Sequence, residues 1–284
     1  MFISVTLFLT LLACNVLDIV PQPVSEVGPD TLSTMVAGTA AALMTQTAQA
    51  MPTATPSPLP TSTFTPPIPP PSPTLPAGTL TPSAVSAVGT SLIRQDDGTV
   101  VFTDITGNYD LLVPAGWLVV RINEPEYYEA WTLPEASSEE IRRSLASIQS
   151  YDPERFRLFA FDGRAGHIEN GFVTNINLLW DPHDTSTIEE AVQKSEQELP
   201  QSIPGLTVTD TQITETTLGE PVGLVSAEWD GRTVTGQTVR AYQRQAIFDL
   251  PTGLLVITLT TTANLKEAIL PEFEFLVNSV SPSE

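Results

Sequence analysis

Charge is scarce in the first third of this 284-residue chain, where Asp18, Glu26 and Asp30 are the only charged residues before Arg94. No Lys or Arg precedes Arg94, no charged residue of either sign lies between Asp30 and Arg94, and the whole chain holds one cysteine and two histidines. A single cysteine excludes an internal disulfide and a cysteine-rich zinc site. The chain also lacks a basic stripe. The twelve Lys and Arg at or after Arg94 face thirty acids in the same region, a net charge of −18. Such a surface repels phosphate backbones and anionic headgroups, so nucleic acid is not an expected partner. No glycine-rich phosphate loop leads from a strand into a helix, and there is no Gly-x-Ser-x-Gly elbow. The sequence therefore assigns no catalytic residue and calls for no cofactor.

What is present begins with MFISVTLFLTLLA, residues 1–13, an apolar run with the length of a signal-peptide h-region and too short for a comfortable membrane span. Cys14 follows at once. Leu11-Leu12-Ala13-Cys14 resembles the lipobox of bacterial lipoproteins, in which a branched apolar residue and a small residue precede the cysteine that is acylated. That resemblance implies a signal peptide over 1–13, a lipid on Cys14, and an extracytoplasmic protein anchored to the bacterial cell membrane. The alternative is an uncleaved signal anchor in which Cys14 is an apolar filler.

Residues 14–51 form a low-complexity Ala/Thr linker. Its second half, TMVAGTAAALMTQTAQAM (34–51), places Val36, Ala40, Leu43, Met44 and Met51 loosely on one helical side. It reads either as a short self-association or membrane-surface helix or as frayed linker. Residues 52–90 are a Pro/Thr/Ser-rich stalk, expected to be disordered. Its centre, PTATPSPLPTSTFTPPIPPPSPTLP (52–76), has few backbone donors and little to bury. As extended polyproline-like chain at about 3.1 Å per residue, it would span roughly 75 Å. It serves as a spacer or as a Pro-rich ligand for an aromatic groove.

From residue 91 short apolar runs alternate with turn signals, and a single domain is expected over 91–284. Asp97-Gly98 and Gly107-Asn108 divide SLIRQ, TVVFTDI and YDLLV into an antiparallel meander. Asp230-Gly231 predicts a hairpin turn between GLVSAEW and TVTGQTVRAYQRQAIF, and residues 249–253 a second one before LLVITLTTT. Ser137 with Glu140, and Ser186 with Glu189, have the spacing of helix capping boxes before apolar stripes at Ile141, Leu145, Ile148 and at Ile188, Ala191, Val192, Leu199. A last helix is expected from about Asn264, interrupted or restarted at Pro271, with Phe273, Leu276, Val277 and Val280 facing the core. The class is α+β, a mainly antiparallel β-sheet packed between α-helices.

YDLLVPAGW, residues 109–117, followed by TNINLLWDP, the helix at 186–199, GLVSAEWDGRTVTGQTVRAYQRQAIF, GLLVITLTTT and a closing helix, resembles the PsbP-like superfamily (PsbP/Mog/DcrB-type) over residues 91–284. The resemblance implies an antiparallel sheet between helices and a non-catalytic binding or assembly role. Pro114 and Trp117 match positions that serve packing.

Three groups of side chains offer chemistry. WDPHD (180–184) sets Asp181, His183 and Asp184 side by side, which reads as a weak divalent-metal site or as a turn leading into a helix. If RLFAFD (157–162) and GFVTNINLLW (171–180) pair as a hairpin, His167 sits in their connection and His183 beyond the opposite end, roughly 30 Å away, so the two cannot share a metal. Glu139-Glu140 and Glu189-Glu190 suit the positive ends of helix dipoles. EPEYYEAWTLPE (124–135) carries Tyr127, Tyr128 and Trp131 as binding anchors or as a lid on the sheet. The expected function is a membrane-tethered, non-catalytic module that binds an unknown envelope protein or small ligand. The alternatives are a cell-envelope hydrolase or metal-dependent enzyme, and a sensor or adhesive surface module.

Overall fold

Residues 85–233 and 236–282 are described by a computed structural model. Cys14, the segment 34–51 and the Pro-rich run 52–76 lie outside the described residues. In chain order the strands and helices begin with β1 (Thr90–Arg94), β2 (Val100–Asp104), β3 (Tyr109–Val113), β4 (Leu118–Val120), α1 (Pro125–Ala130) and α2 (Glu139–Ile148). There follow β5 (Phe156–Phe161), a small hairpin of β6 (Ile168–Glu169) and β7 (Phe172–Val173), β8 (Asn175–Asp181) and α3 (Ile188–Ser202). The C-terminal part is β9 (Thr207–Glu215), β10 (Pro221–Arg232), β11 (Thr238–Leu250), β12 (Gly253–Thr262), α4 (Lys266–Asn278) and β13 (Ser281–Pro282).

Among the described residues every strand pairing is antiparallel, and the fold is α+β. A four-stranded sheet has the order β1-β2-β3-β13, and a seven-stranded sheet the order β4-β5-β8-β12-β11-β10-β9. Alternation sorts the side chains of the large sheet onto two faces. On one face Leu158, Ile176, Leu178, Phe248, Leu255, Ile257 and Leu259 pack with Phe102, Tyr109 and Leu111 of the small sheet and with Ile269, Phe273 and Leu276 of α4. The other face carries two separate clusters. Phe159, Phe161 and Leu179 pack with Tyr127 of α1 and Ile141, Leu145 and Ile148 of α2. Val225, Ala227, Trp229 and Val256 pack with Ile188, Ala191, Val192 and Leu199 of α3. At Gly223 a Cβ would stand 2.4 Å from Val192 Cγ2, so the missing side chain is what lets α3 lie so close to β10.

Between those two clusters the sheet is polar. Register places Val225, Gln245, Thr258, Asn177 and Phe159 in one cross-strand row. Ala227, Gln243, Thr260, Asn175 and Phe161 form the next row on the same face. The outer members are apolar and belong to the helix-packed clusters; the six inner ones are buried amides and hydroxyls.

Several expectations need correction. The turn expected at Asp230-Gly231 is not there: both residues lie within β10, opposite Arg240 and Val239, and the chain turns after Arg232, where Thr233 N–H donates to Gln237 O. Both caps lie one residue later than expected. Ser138 Oγ accepts from Ile141 N–H, because Ser137 belongs to a 3-10 turn over Pro134–Ser137. Thr187 and Glu190 form the reciprocal capping box of α3, while Ser186 donates its hydroxyl to Asp184. Helix α4 runs through Pro271 without a break. The domain boundary expected at residue 91 falls inside folded chain: Ser86 is buried, its N–H donates to Thr90 O, and Thr90 already belongs to β1.

Candidate functional site

Helix α1 presents the aromatic segment. Pro125 at its start suits a position whose backbone donor would be unpaired anyway. The helix is fixed to the sheet by Glu126, which receives the Arg121 guanidinium at the end of β4. Tyr127 points inward, 2 % exposed, with its hydroxyl donating to Leu145 O at 3.0 Å. It is therefore a packing residue and not part of a binding surface. Tyr128, one residue on and so about 100° around the helix, is 57 % exposed. Trp131 is half-buried, and its ring meets Tyr127 edge-on with centroids 6.3 Å apart; Tyr128 meets the same ring at 5.4 Å. Leu133 extends the patch at 39 % exposure. Two of the three aromatics named from the sequence thus remain at the surface, held against a buried third.

The WDPHD carboxylates are occupied by the protein itself. Asp181 accepts from His183 N–H and from Arg155, whereas Asp184 accepts from Ser186 and from Lys194 Nζ. Burial alone would raise the Asp184 carboxyl, but Ser186 and Lys194 hold it below the ordinary carboxylate value. His183 is exposed beside them. The arrangement is an Asx-type turn ahead of α3, and among the described residues no group of three His, Cys, Asp or Glu converges on a point.

His167 lies beyond the opposite end of the β5–β8 pair, as the hairpin reading requires. Its Nδ1 is 2.6 Å from Oδ2 of Asp162, a fully buried carboxylate that also receives two bonds from the Arg164 guanidinium and one from its backbone N–H. Arg164 in turn donates to both oxygens of Glu272 on α4, which accepts from Trp117 Nε1 at 2.5 Å. Sequence reasoning missed this network. Its members are two to five residues apart on one side, but Glu272 joins only through the fold.

Burial pushes the Asp162 carboxyl up, and hydrogen bonds from Arg164 and His167 outweigh it, leaving the group below its ordinary value of 3.8. A carboxyl whose pKa is lower in the folded than in the unfolded chain stabilises the fold wherever it is ionised in both states. That contribution is complete above the ordinary value and is lost as pH falls below it. Thermal melts taken from about pH 6 down to about pH 2.5 should show a falling midpoint, with a shallower fall in Asp162→Asn. Parallel curves for the two proteins would refute this assignment.

Among the described residues no helix is long and apolar enough to cross a membrane. No family model matches the chain, and no curated protein matches it. Among solved structures it is similar to the cyanobacterial PsbP, CyanoP, of Synechocystis, at 12 % identity over 66 % of this chain and 94 % of that one, with a TM-score of 0.39. LpqN of Mycobacterium tuberculosis, involved in cell envelope biogenesis, is 12 % identical over 62 % of this chain and 83 % of its own, with a TM-score of 0.37. The Ran-binding protein Mog1p of Saccharomyces cerevisiae is 13 % identical over 63 % and 93 %, with a TM-score of 0.38. At these identities and scores the likeness extends no further than the arrangement of strands and helices.

Proposed function

We propose that this protein is a lipid-anchored, extracytoplasmic binding module of PsbP-like type, tethered through Cys14, spaced from the membrane by the Pro-rich run 52–76, and engaging an envelope protein through the α1 surface. The observation that carries the binding role is the exposure of Tyr128, with the half-buried Trp131 beside it, on a helix whose neighbouring Tyr127 is locked in the core. A rigid aromatic pair offers large contact area at small entropic cost, which is how interface hot spots are built. The anchor rests on the lipobox-like Leu11-Leu12-Ala13-Cys14, and the spacer on the uncharged Pro-rich run.

The test has two arms. Expressed with its own leader in a bacterium, the protein should incorporate labelled fatty acid and partition into detergent, and Cys14→Ser should lose the label; equal labelling of the variant removes the anchor. For a partner crosslinked on intact cells and then purified, Tyr128→Ala should weaken binding by about 2 kcal/mol, roughly thirtyfold, with no change in melting temperature. Unchanged affinity removes the α1 surface from the proposal.

A hydrolytic reading has one observation in its favour, since a histidine oriented by a buried carboxylate is half of a catalytic triad. Asp162, however, also neutralises Arg164, and Arg164 continues to Glu272. The network is better accounted for as a tie between the β5–β6 connection and α4.

A further inference from the structure

At the far end of the large sheet from α1, a groove of about 210 Å³ lies between α4 and the edge strand β9. Its floor is Val222 and Leu224 of β10, its wall Phe273 and Val277 of α4, and its rim Gln212 and Thr214 of β9. One end is closed where Thr217 N–H donates to Asn278 Oδ1 at 2.8 Å. Arg244 of β11 also lines it. Only 15 % of that side chain is exposed, and its Nε is enclosed without a hydrogen-bond partner. The carboxylate paired with it, Glu274, lies 3.6 Å from Nη1 and is itself mostly in solvent.

A buried guanidinium donor with nothing to bind is costly, and the planar fork of Arg matches a carboxylate bidentately. Glu215 and Glu274 flank the space, which disfavours a dianionic phosphate more than a monoanion. The volume falls below the roughly 300–1,000 Å³ of sites for drug-sized ligands, so the occupant is small.

We propose that this groove binds a free, small amphipathic carboxylate, its head on Arg244 and its short alkyl body on Val222, Leu224, Phe273 and Val277. The site is separate from the α1 surface and does not depend on it.

Sodium octanoate is the probe, titrated into the full-length protein and followed by calorimetry and amide chemical shifts, with acetate and octan-1-ol as head-only and tail-only controls. Octanoate should bind saturably, with shifts centred on β9, β10 and α4, and each control should bind at least tenfold more weakly. Arg244→Gln should cost octanoate at least tenfold, and Glu274→Gln should tighten it severalfold by removing the competing carboxylate. Thr214 is an exposed rim residue, so Thr214→Phe should fill the groove and abolish binding in a protein that still folds, which decides the matter if Arg244→Gln does not fold. Octanol binding as well as octanoate, octanoate binding to Thr214→Phe at full strength, or no saturable octanoate binding would each overturn the proposal.

Discussion

Asp104→Asn should lower the melting temperature by about 10 °C. Asp104 ends β2 and is fully buried, while Arg157 reaches it from β5 with two bonds, Nε to Oδ2 at 2.6 Å and Nη2 to Oδ1 at 2.8 Å. Arg157 Nη2 also donates to Val88 O, its guanidinium lies over the Trp180 ring, and Gly107 N–H donates to Asp104 Oδ1. One ion pair therefore joins the small sheet, the large sheet and the segment entering β1. Removing a single partner leaves a buried charge without compensation, which costs about 3–5 kcal/mol. For a domain of roughly 150–250 residues each kcal/mol moves the midpoint by about 2–4 °C. The double variant Asp104→Leu/Arg157→Met should lose less than Asp104→Asn, because it also removes the stranded charge. Calorimetry on the three proteins checks this, and a drop below about 3 °C for Asp104→Asn would mean that the pair does not hold the sheets together.

Most strands and helices could be read from the chain because their apolar periods coincide with clear punctuation. Gly98 and Asn108 take the positive φ values that Asp97-Gly98 and Gly107-Asn108 predict, and β1, β2 and β3 follow in order. β9 escaped notice for the opposite reason. TVTDTQITE is polar on both faces and almost wholly exposed, so it has no apolar alternation, and only its ladder with β10 makes it a strand. The β6–β7 hairpin did carry a signal, Asn170-Gly171, both at positive φ, but strands of two residues leave too short a period to register. Asp230-Gly231 misled because a turn-forming pair can sit in a ladder when a better turn follows, and Gly236 with φ 78° supplies it.

The site was legible only in part. EPEYYEAWTLPE stood out by composition, yet the division between Tyr127 and Tyr128 needed the helix. Once α1 is placed, Tyr127 and Ala130 share the buried side and Tyr128 faces away. Arg244 gave no warning: in RAYQRQAIF it is one of two arginines in an alternating strand. Its solvent-poor setting arises from the groove that α4 and the edge strand β9 build around it, which the alternation of β11 alone does not announce.

Gln243→Met/Gln245→Met should raise the melting temperature by several degrees. The middle of a seven-stranded sheet with helices over it would ordinarily be apolar, as the flanking Val225, Ala227, Phe159 and Phe161 are. Instead Gln245 Nε2 and Oε1, Gln243 Nε2, Asn177 Nδ2 and Thr260 Oγ1 are all enclosed without a hydrogen-bond partner. No protein atom supplies the missing bond, and a buried group left unsatisfied costs about 1–3 kcal/mol. Met nearly matches Gln in length and volume, so the exchange opens no cavity and forces little rearrangement. Gln245→Met removes two orphaned atoms and should gain more than Gln243→Met, which removes one. A combined gain of about 2 kcal/mol corresponds to roughly 4–8 °C. If the double variant instead melts lower, the amides are satisfied in solution, and the polar rows are a hydrated network between α2 and α3.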